Sequence, residues 1–215
     1  MSFFNAGNNT RNLYTKNYWY LGTLFIIGWC LVFYAFIQSH VNYALPRDGG
    51  SFFVLFLVRH ANWMNISLNL VCFLFVGLFL ERRLGTFNLL ISFICLSFVT
   101  NTAVGFFTGS APNGMSGLVS CYYGIVYMTW IFRGISIFKE RIPARILNIL
   151  TLVAITFTLF IPGSASFTVR WYPAYLFYQM GDTWVVHWGH TVGLVVGLLL
   201  GLMFYLNSSF YGRKS

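Results

Sequence analysis

Two short motifs carry side chains that could do chemistry in an otherwise apolar chain. "GMSG", Gly114 to Gly117, holds Ser116 between glycines shortly after Pro112, at the head of a long apolar run, and "HWGH", His187 to His190, opens another such run far downstream. A serine hydroxyl is a weak nucleophile until a base takes its proton, and imidazole titrates near neutral pH, so Ser116 and His190 form a candidate nucleophile and base. Glycines beside the serine would let a carbonyl approach the backbone, and a helix starting there would offer N–H groups and a positive dipole end to an oxyanion. In "RHANWMNISLN", Asn65 and Asn69 share a helical face with His60 about one turn further out, and the two amides could add donors. Of the acidic residues, Asp48, Glu81, Glu140 and Asp182, none is placed to orient His190: Glu81 and Glu140 fall about a bilayer away, and Asp182 lies more than two helical turns before it. The expected unit is a dyad.

The elements that must position these groups follow from composition. Of 215 residues, 58% are hydrophobic and 20% aromatic, while 8% are charged, against about 25% in soluble globular domains. One crossing of a hydrocarbon core takes roughly 20 apolar helical residues. Six uncharged runs approach that length, at residues 18–37, 63–80, 86–107, 115–132, 146–161 and 184–206, the fifth being short. All five prolines, Pro46, Pro112, Pro143, Pro162 and Pro173, fall between the runs, as expected of helix breakers. The expected fold is all-α, a polytopic bundle of six transmembrane helices over residues 18–207, with short tails at 1–17 and 208–215. The apolar piece "SFFVLFLV", residues 51–58, is too short to cross and is expected to lie in the interface or re-enter partway.

The net charge of +9 is an orientation signal. With six crossings and an inside start, Arg11, Lys16, Arg82, Arg83, Arg133, Lys139, Arg141, Arg145, Arg213 and Lys214 fall inside, and Arg47, Arg59 and Arg170 outside. That excess puts both termini in the cytoplasm. Basic residues scattered over short loops do not make a nucleic-acid surface, so no nucleic-acid partner is expected. The polar start lacks a compact basic segment and a small-residue cleavage site, so the first helix is expected to stay. Cys30, Cys72, Cys95 and Cys121 all lie within spans and follow no ligand spacing, which argues against disulfides and against a metal.

Polar groups inside a bilayer are costly, and those that persist either meet a partner or do work. His60, Asn65, Asn69, Ser116, Ser120, His187 and His190 gather toward the outward ends of their runs, while other Ser and Thr can bond their own helix. In the sixth run His190, Gly193, Gly197 and Gly201 form a narrow stripe of small residues; in the fourth, Gly117, Ser120 and Gly124 form another with Ser116 at its head. Small faces let membrane helices approach closely. If the stripes pack together, Ser116 and His190 come within hydrogen-bond reach. The residues alone leave other readings open: the stripes as packing devices, a histidine as a structural hydrogen-bonder, the asparagines as helix ties, or a small transporter. A transporter predicts polar groups through the whole depth, whereas these collect at one end.

In order along the chain, "HANWMNISLN", "ERRLG" (Glu81 to Gly85), "GMSG" and "HTVGLVVG" (His190 to Gly197) resemble the rhomboid intramembrane serine proteases, whose patterns are a His/Asn-bearing second helix ending in E-x-R-L-G, then G-x-S-G, then H-x-x-G-x-x-x-G. The likeness runs from about His60 to Gly201. It implies a six-helix core whose short fourth helix starts inside the membrane, below a water-filled cavity open to the outside. It also implies hydrolysis of peptide bonds in or next to transmembrane segments of protein substrates, with no cofactor. By the same likeness Ser116 matches the nucleophile, His190 the general base and Asn69 the oxyanion-hole asparagine. Gly114 falls on the loop backbone lining the site, and His60 supports the first loop. A bacterial inner or plasma membrane is the implied location. Non-catalytic relatives that bind transmembrane clients usually lack the serine or the histidine, and this chain keeps both. Three positions depart from the pattern. Asn65 stands where a histidine is frequent, Ser120 stands where many bacterial members carry a tyrosine stacked on the base, and a Trp-Arg pair is not evident near Ser51 and Phe52. Orientation of His190 then falls to another group, for which His187 and Trp188 are at hand. Neither the oligomeric state nor the client follows from these residues.

Overall fold

The computed structural model describes residues 20–35, 63–108, 115–133, 142–160, 176–180 and 183–211. Among them are six helices, α1 (Leu21–Phe33), α2 (Trp63–Leu84), α3 (Thr86–Thr108), α4 (Ser116–Arg133), α5 (Ile142–Phe160) and α6 (Trp188–Tyr211), and one antiparallel hairpin of β1 (Phe177–Met180) and β2 (Thr183–Val186). Four helices are long and apolar enough to cross a membrane, over Trp63–Leu84, Thr86–Phe106, Ile142–Leu159 and Trp188–Leu206; α1 and α4 are shorter apolar helices. The chain is thus a multi-pass integral membrane protein built as a helical bundle, as its composition requires.

Two boundaries differ from those read in the sequence. The fifth helix starts at Ile142, and Pro143 sits in its first turn, where a missing N–H costs nothing because no intrahelical acceptor exists there. The sixth starts at Trp188 because residues 183–186 pair as a strand, in the register Phe177↔Val186 to Met180↔Thr183. "TWVV" is rich in aromatic and β-branched types that suit a pleated ladder, and two residues, Gly181 and Asp182, separate the strands. An apolar run passing straight from strand into helix hides that junction from a hydropathy window. Residues 51–58, the first loop around Ser51 and Phe52, and Pro46, Pro112, Pro162 and Pro173 lie outside the described residues.

Phe87, Phe106, Met64, Phe157 and Ile142 turn outward on the surface of the bundle. Lipid is as apolar as these side chains, so packing and hydrogen bonds, more than expulsion from water, must hold the helices together. The centre is α4, buried from Gly117 to Gly124. Phe73 of α2 packs edge-on against Phe93 of α3, with centroids 5.9 Å apart, and against Tyr122 of α4 at 6.0 Å. The Tyr122 hydroxyl lies 3.0 Å from Ser92 Oγ, which also donates to the Leu89 carbonyl. Five further hydroxyls turn back on their own helix: Ser97, Thr100, Thr129, Thr151 and Thr158 each donate to the carbonyl four residues earlier.

"ERRLG" ties three helices together. Glu81 is fully buried, and its two oxygens accept from the Gly22 and Thr23 N–H groups at 2.8 Å each, from the Thr23 hydroxyl at 2.7 Å and from the Thr86 hydroxyl at 2.6 Å. A carboxylate beside the first N–H groups of α1 satisfies donors that the helix itself cannot and complements its dipole. Close approach here needs Gly77, where an added Cβ would sit 2.8 Å from Thr23 Cγ2. Gly85 ends α2 with φ +82°, a conformation that favours glycine; its N–H donates to the Glu81 carbonyl and its own carbonyl accepts from Leu89 at the start of α3. Arg83 lies over the Phe79 ring at 3.6 Å, donates to the Phe79 carbonyl, and reaches Asn148 Oδ1 of α5 at 3.4 Å.

Candidate active site

The site begins with the seam between α4 and α6, the most extensive helix pair in the bundle. The small-residue stripes face each other along it. A Cβ added to Gly193 would collide with the Gly117 carbonyl and lie 3.1 Å from Ser120 Cβ; one added to Gly197 would collide with the Cys121 carbonyl. Further along, a Cβ on Gly124 would come 2.5 Å from Leu198 N, and one on Gly201 would come 2.6 Å from Met128 Cβ. At Gly193, Gly197 and Gly124 the nearest atoms are backbone, an approach that only the absence of side chains permits. At the end where both helices begin, a Cβ on Gly117 would meet the Gly189 carbonyl at 3.0 Å. Ser116 precedes Gly117 and His190 follows Gly189, so the contact brings the first turns of the two helices side by side.

Ser116 is the first residue of α4, partly exposed between buried Met115 and Gly117. The Met115 carbonyl accepts from Val119 N–H at 2.9 Å and opens the helix. Met115 Sδ lies 4.0 Å from Cys30 Sγ, which seats this end of α4 on α1. N–H groups of a first turn have no carbonyl behind them within the helix, so they converge on the space before it. Ser120, one turn on, is buried and donates to the Ser116 carbonyl at 2.8 Å. A hydroxyl committed to the helix backbone leaves no ring at this position.

His190, also partly exposed, stands in the first turn of α6. The backbone of His187 sets that turn. Its carbonyl accepts from the His190 and Thr191 N–H groups at 3.0 Å each, and its own N–H donates to the Leu176 carbonyl at 2.8 Å, joining helix to hairpin. The His187 ring lies on that of His190, with centroids 5.1 Å apart and planes 24° from parallel. Burial pushes the His187 imidazole below its ordinary value, which keeps it neutral at pH 7. Trp188, the other group at hand, is 46% exposed.

Asn69 is buried on α2 and donates through Nδ2 to Asn65 Oδ1 at 3.3 Å; Asn65 itself is exposed. The two amides therefore act as one unit, with Asn65 accepting. Gly114 and His60 lie outside the described residues. Among the described residues no group of His, Cys, Asp and Glu could hold a metal ion. The local sequence carries no sign that Glu81 collects four donors, because its partners on α1 lie 58 and 59 residues away along the chain. It did give one for His187, which stands at helical spacing from His190.

No curated protein matches the chain. The Rhomboid domain matches residues 50–207, which takes in α2 to α5, the hairpin, most of α6 and every motif named above. A match over most of the chain fixes its kinship: the protein belongs to the rhomboid family.

Proposed function

We propose that this protein is an intramembrane serine protease that hydrolyses peptide bonds in or next to transmembrane segments of membrane-protein substrates, using Ser116 and His190. The observation that carries the reading is the contact of Gly117 with the Gly189 carbonyl at the head of a glycine-lined seam, beside a serine and a histidine that are both partly exposed. A transmembrane helix shields its own peptide bonds, so the substrate unwinds locally before attack. His190 takes the hydroxyl proton as Ser116 Oγ adds to the scissile carbonyl; the protonated imidazole then gives that proton to the leaving amine. An acyl-enzyme remains, and water, deprotonated by His190, releases it. The developing oxyanion is met by the start of α4, with Asn69 donating from α2, Asn65 holding the amide in line, and the Gly114 backbone lining the same space. His60 supports the adjoining loop. No metal or cofactor takes part. In this reading both termini are cytoplasmic and the site opens to the outside of a bacterial inner or plasma membrane.

The test is cleavage of a reporter transmembrane substrate by protein reconstituted in liposomes. Ser116→Ala and His190→Ala each abolish cleavage while leaving the helical content and melting curve intact. Undiminished cleavage by purified Ser116→Ala protein rules the reading out, and a folded wild-type chain that binds the substrate without cutting it favours a client-binding relative instead.

A further inference from the structure

The seam explains why α4 and α6 meet, but not what keeps the His190 ring in one orientation. A helical histidine has two accessible χ1 wells and a broad χ2, so its ring can sweep a wide arc unless something blocks it. On the facing helix Gly117, which meets the Gly189 carbonyl, has no side chain, and Ser120 is turned back onto the Ser116 carbonyl. A ring lies flat on that of His190 from three residues back in the same chain, that of His187. We infer that His187 is a positioning residue for the proposed base, its ring serving as the wall that fixes the plane of His190. The inference rests on the dyad reading given above.

Three features support it. The ring separation of 5.1 Å with a 24° tilt is that of an offset stack, which holds a plane without consuming a ring nitrogen. The wall is itself anchored: His187 is bound through its N–H to the hairpin and through its carbonyl to the first turn of α6, so its Cβ has a set origin. A neutral ring in this place also adds no repulsion when His190 becomes an imidazolium during the reaction. These three backbone bonds do not involve the imidazole, so changing the side chain leaves the start of α6 in place.

The experiment compares His187→Ala, His187→Gln and His187→Phe in the reconstituted cleavage assay, with Ser116→Ala as the blank. Ala and Gln remove the ring, and kcat falls roughly 10- to 100-fold with KM within about two-fold, as expected when a reacting group is misoriented and binding is untouched. Phe restores the flat wall without a nitrogen and returns kcat to within about three-fold of the wild type. Should the Ala protein fail to fold, the contrast between Gln and Phe decides. Wild-type kcat in the Ala or Gln protein overturns the inference, and so does a Phe protein as slow as Gln; in either case a dead Ser116→Ala blank leaves the dyad standing. A blank that cleaves at full rate overturns the dyad and this inference together.

Discussion

Two polar clusters sit in this apolar bundle, and they are built in opposite ways. Glu81, toward the end of α2, is fully buried and its carboxylate takes four donors from α1 and the start of α3. Asn69 on the same helix lies roughly 18 Å away at 1.5 Å per residue, and the cluster at that end, Ser116, His190 and His187, is only partly buried and stands at helix starts. A polar group saturated with partners and closed to solvent is committed to structure, because every interaction it can make is already made. Groups that keep some exposure at helix starts suit reaction, since a substrate can reach them. Residue type alone does not separate the two cases; partners and exposure do.

Breaking either cluster should therefore have different consequences. The largest effect is expected where the seam itself is filled. Gly197→Leu drives a side chain into the Cys121 backbone, which neighbouring helices cannot yield to, and the cost exceeds the roughly 1–3 kcal/mol of ordinary overpacking; the protein should fail to give a cooperative melt in detergent and lose all cleavage. Next comes Glu81→Gln, which leaves one acceptor oxygen facing donors that bonded two. We expect roughly 2–4 kcal/mol of destabilisation, seen in unfolding by a denaturing detergent, with kcat per folded molecule unchanged. A Glu81→Gln protein of normal stability and low kcat would reverse the assignment of the two ends.

Smaller effects sharpen the picture. Tyr122→Phe removes the bond to Ser92 at the core of α3 and α4 and should cost roughly 0.6 kcal/mol, the average for a hydrogen bond between membrane helices. The smallest is a pH effect. Burial lowers the His187 imidazole from its ordinary 6.5, so below that value the unfolded chain takes up a proton the folded chain resists. Stability should be flat above pH 6.5 and decline as pH falls from there through the lowered value. His187→Phe should flatten that decline in melts recorded from pH 7.5 down to about 5.

Much of this was open to reading from the residues. Glycine stripes advertise themselves because a missing side chain has one use at a membrane helix contact, and the spacing of Gly193, Gly197 and Gly201 against Gly117 and Gly124 matched the contacts made. Six helices followed from hydropathy. Hidden parts share a cause: they depend on pairings across long stretches of chain or on junctions without a change in polarity. The hairpin merges into α6 through "TWVVHW", uncharged and apolar from Trp184 to Val186, and Glu81 finds partners in residues whose only local signature is "LGT" at the start of α1. Ser120 could be seen to lack a ring, yet where the replacing ring would come from needed the turn made by His187.

Activation of a hydroxyl at the head of α4 by an imidazole at the head of α6 can be read by covalent labelling, with no substrate present. A fluorophosphonate applied to the wild-type protein in membranes should leave a stable phosphonyl adduct on the peptide containing Ser116, and His190→Ala should lose the adduct while remaining folded. Labelling that persists in Ser116→Ala protein, or that proceeds equally well without His190, would show that these two groups do not act as nucleophile and base.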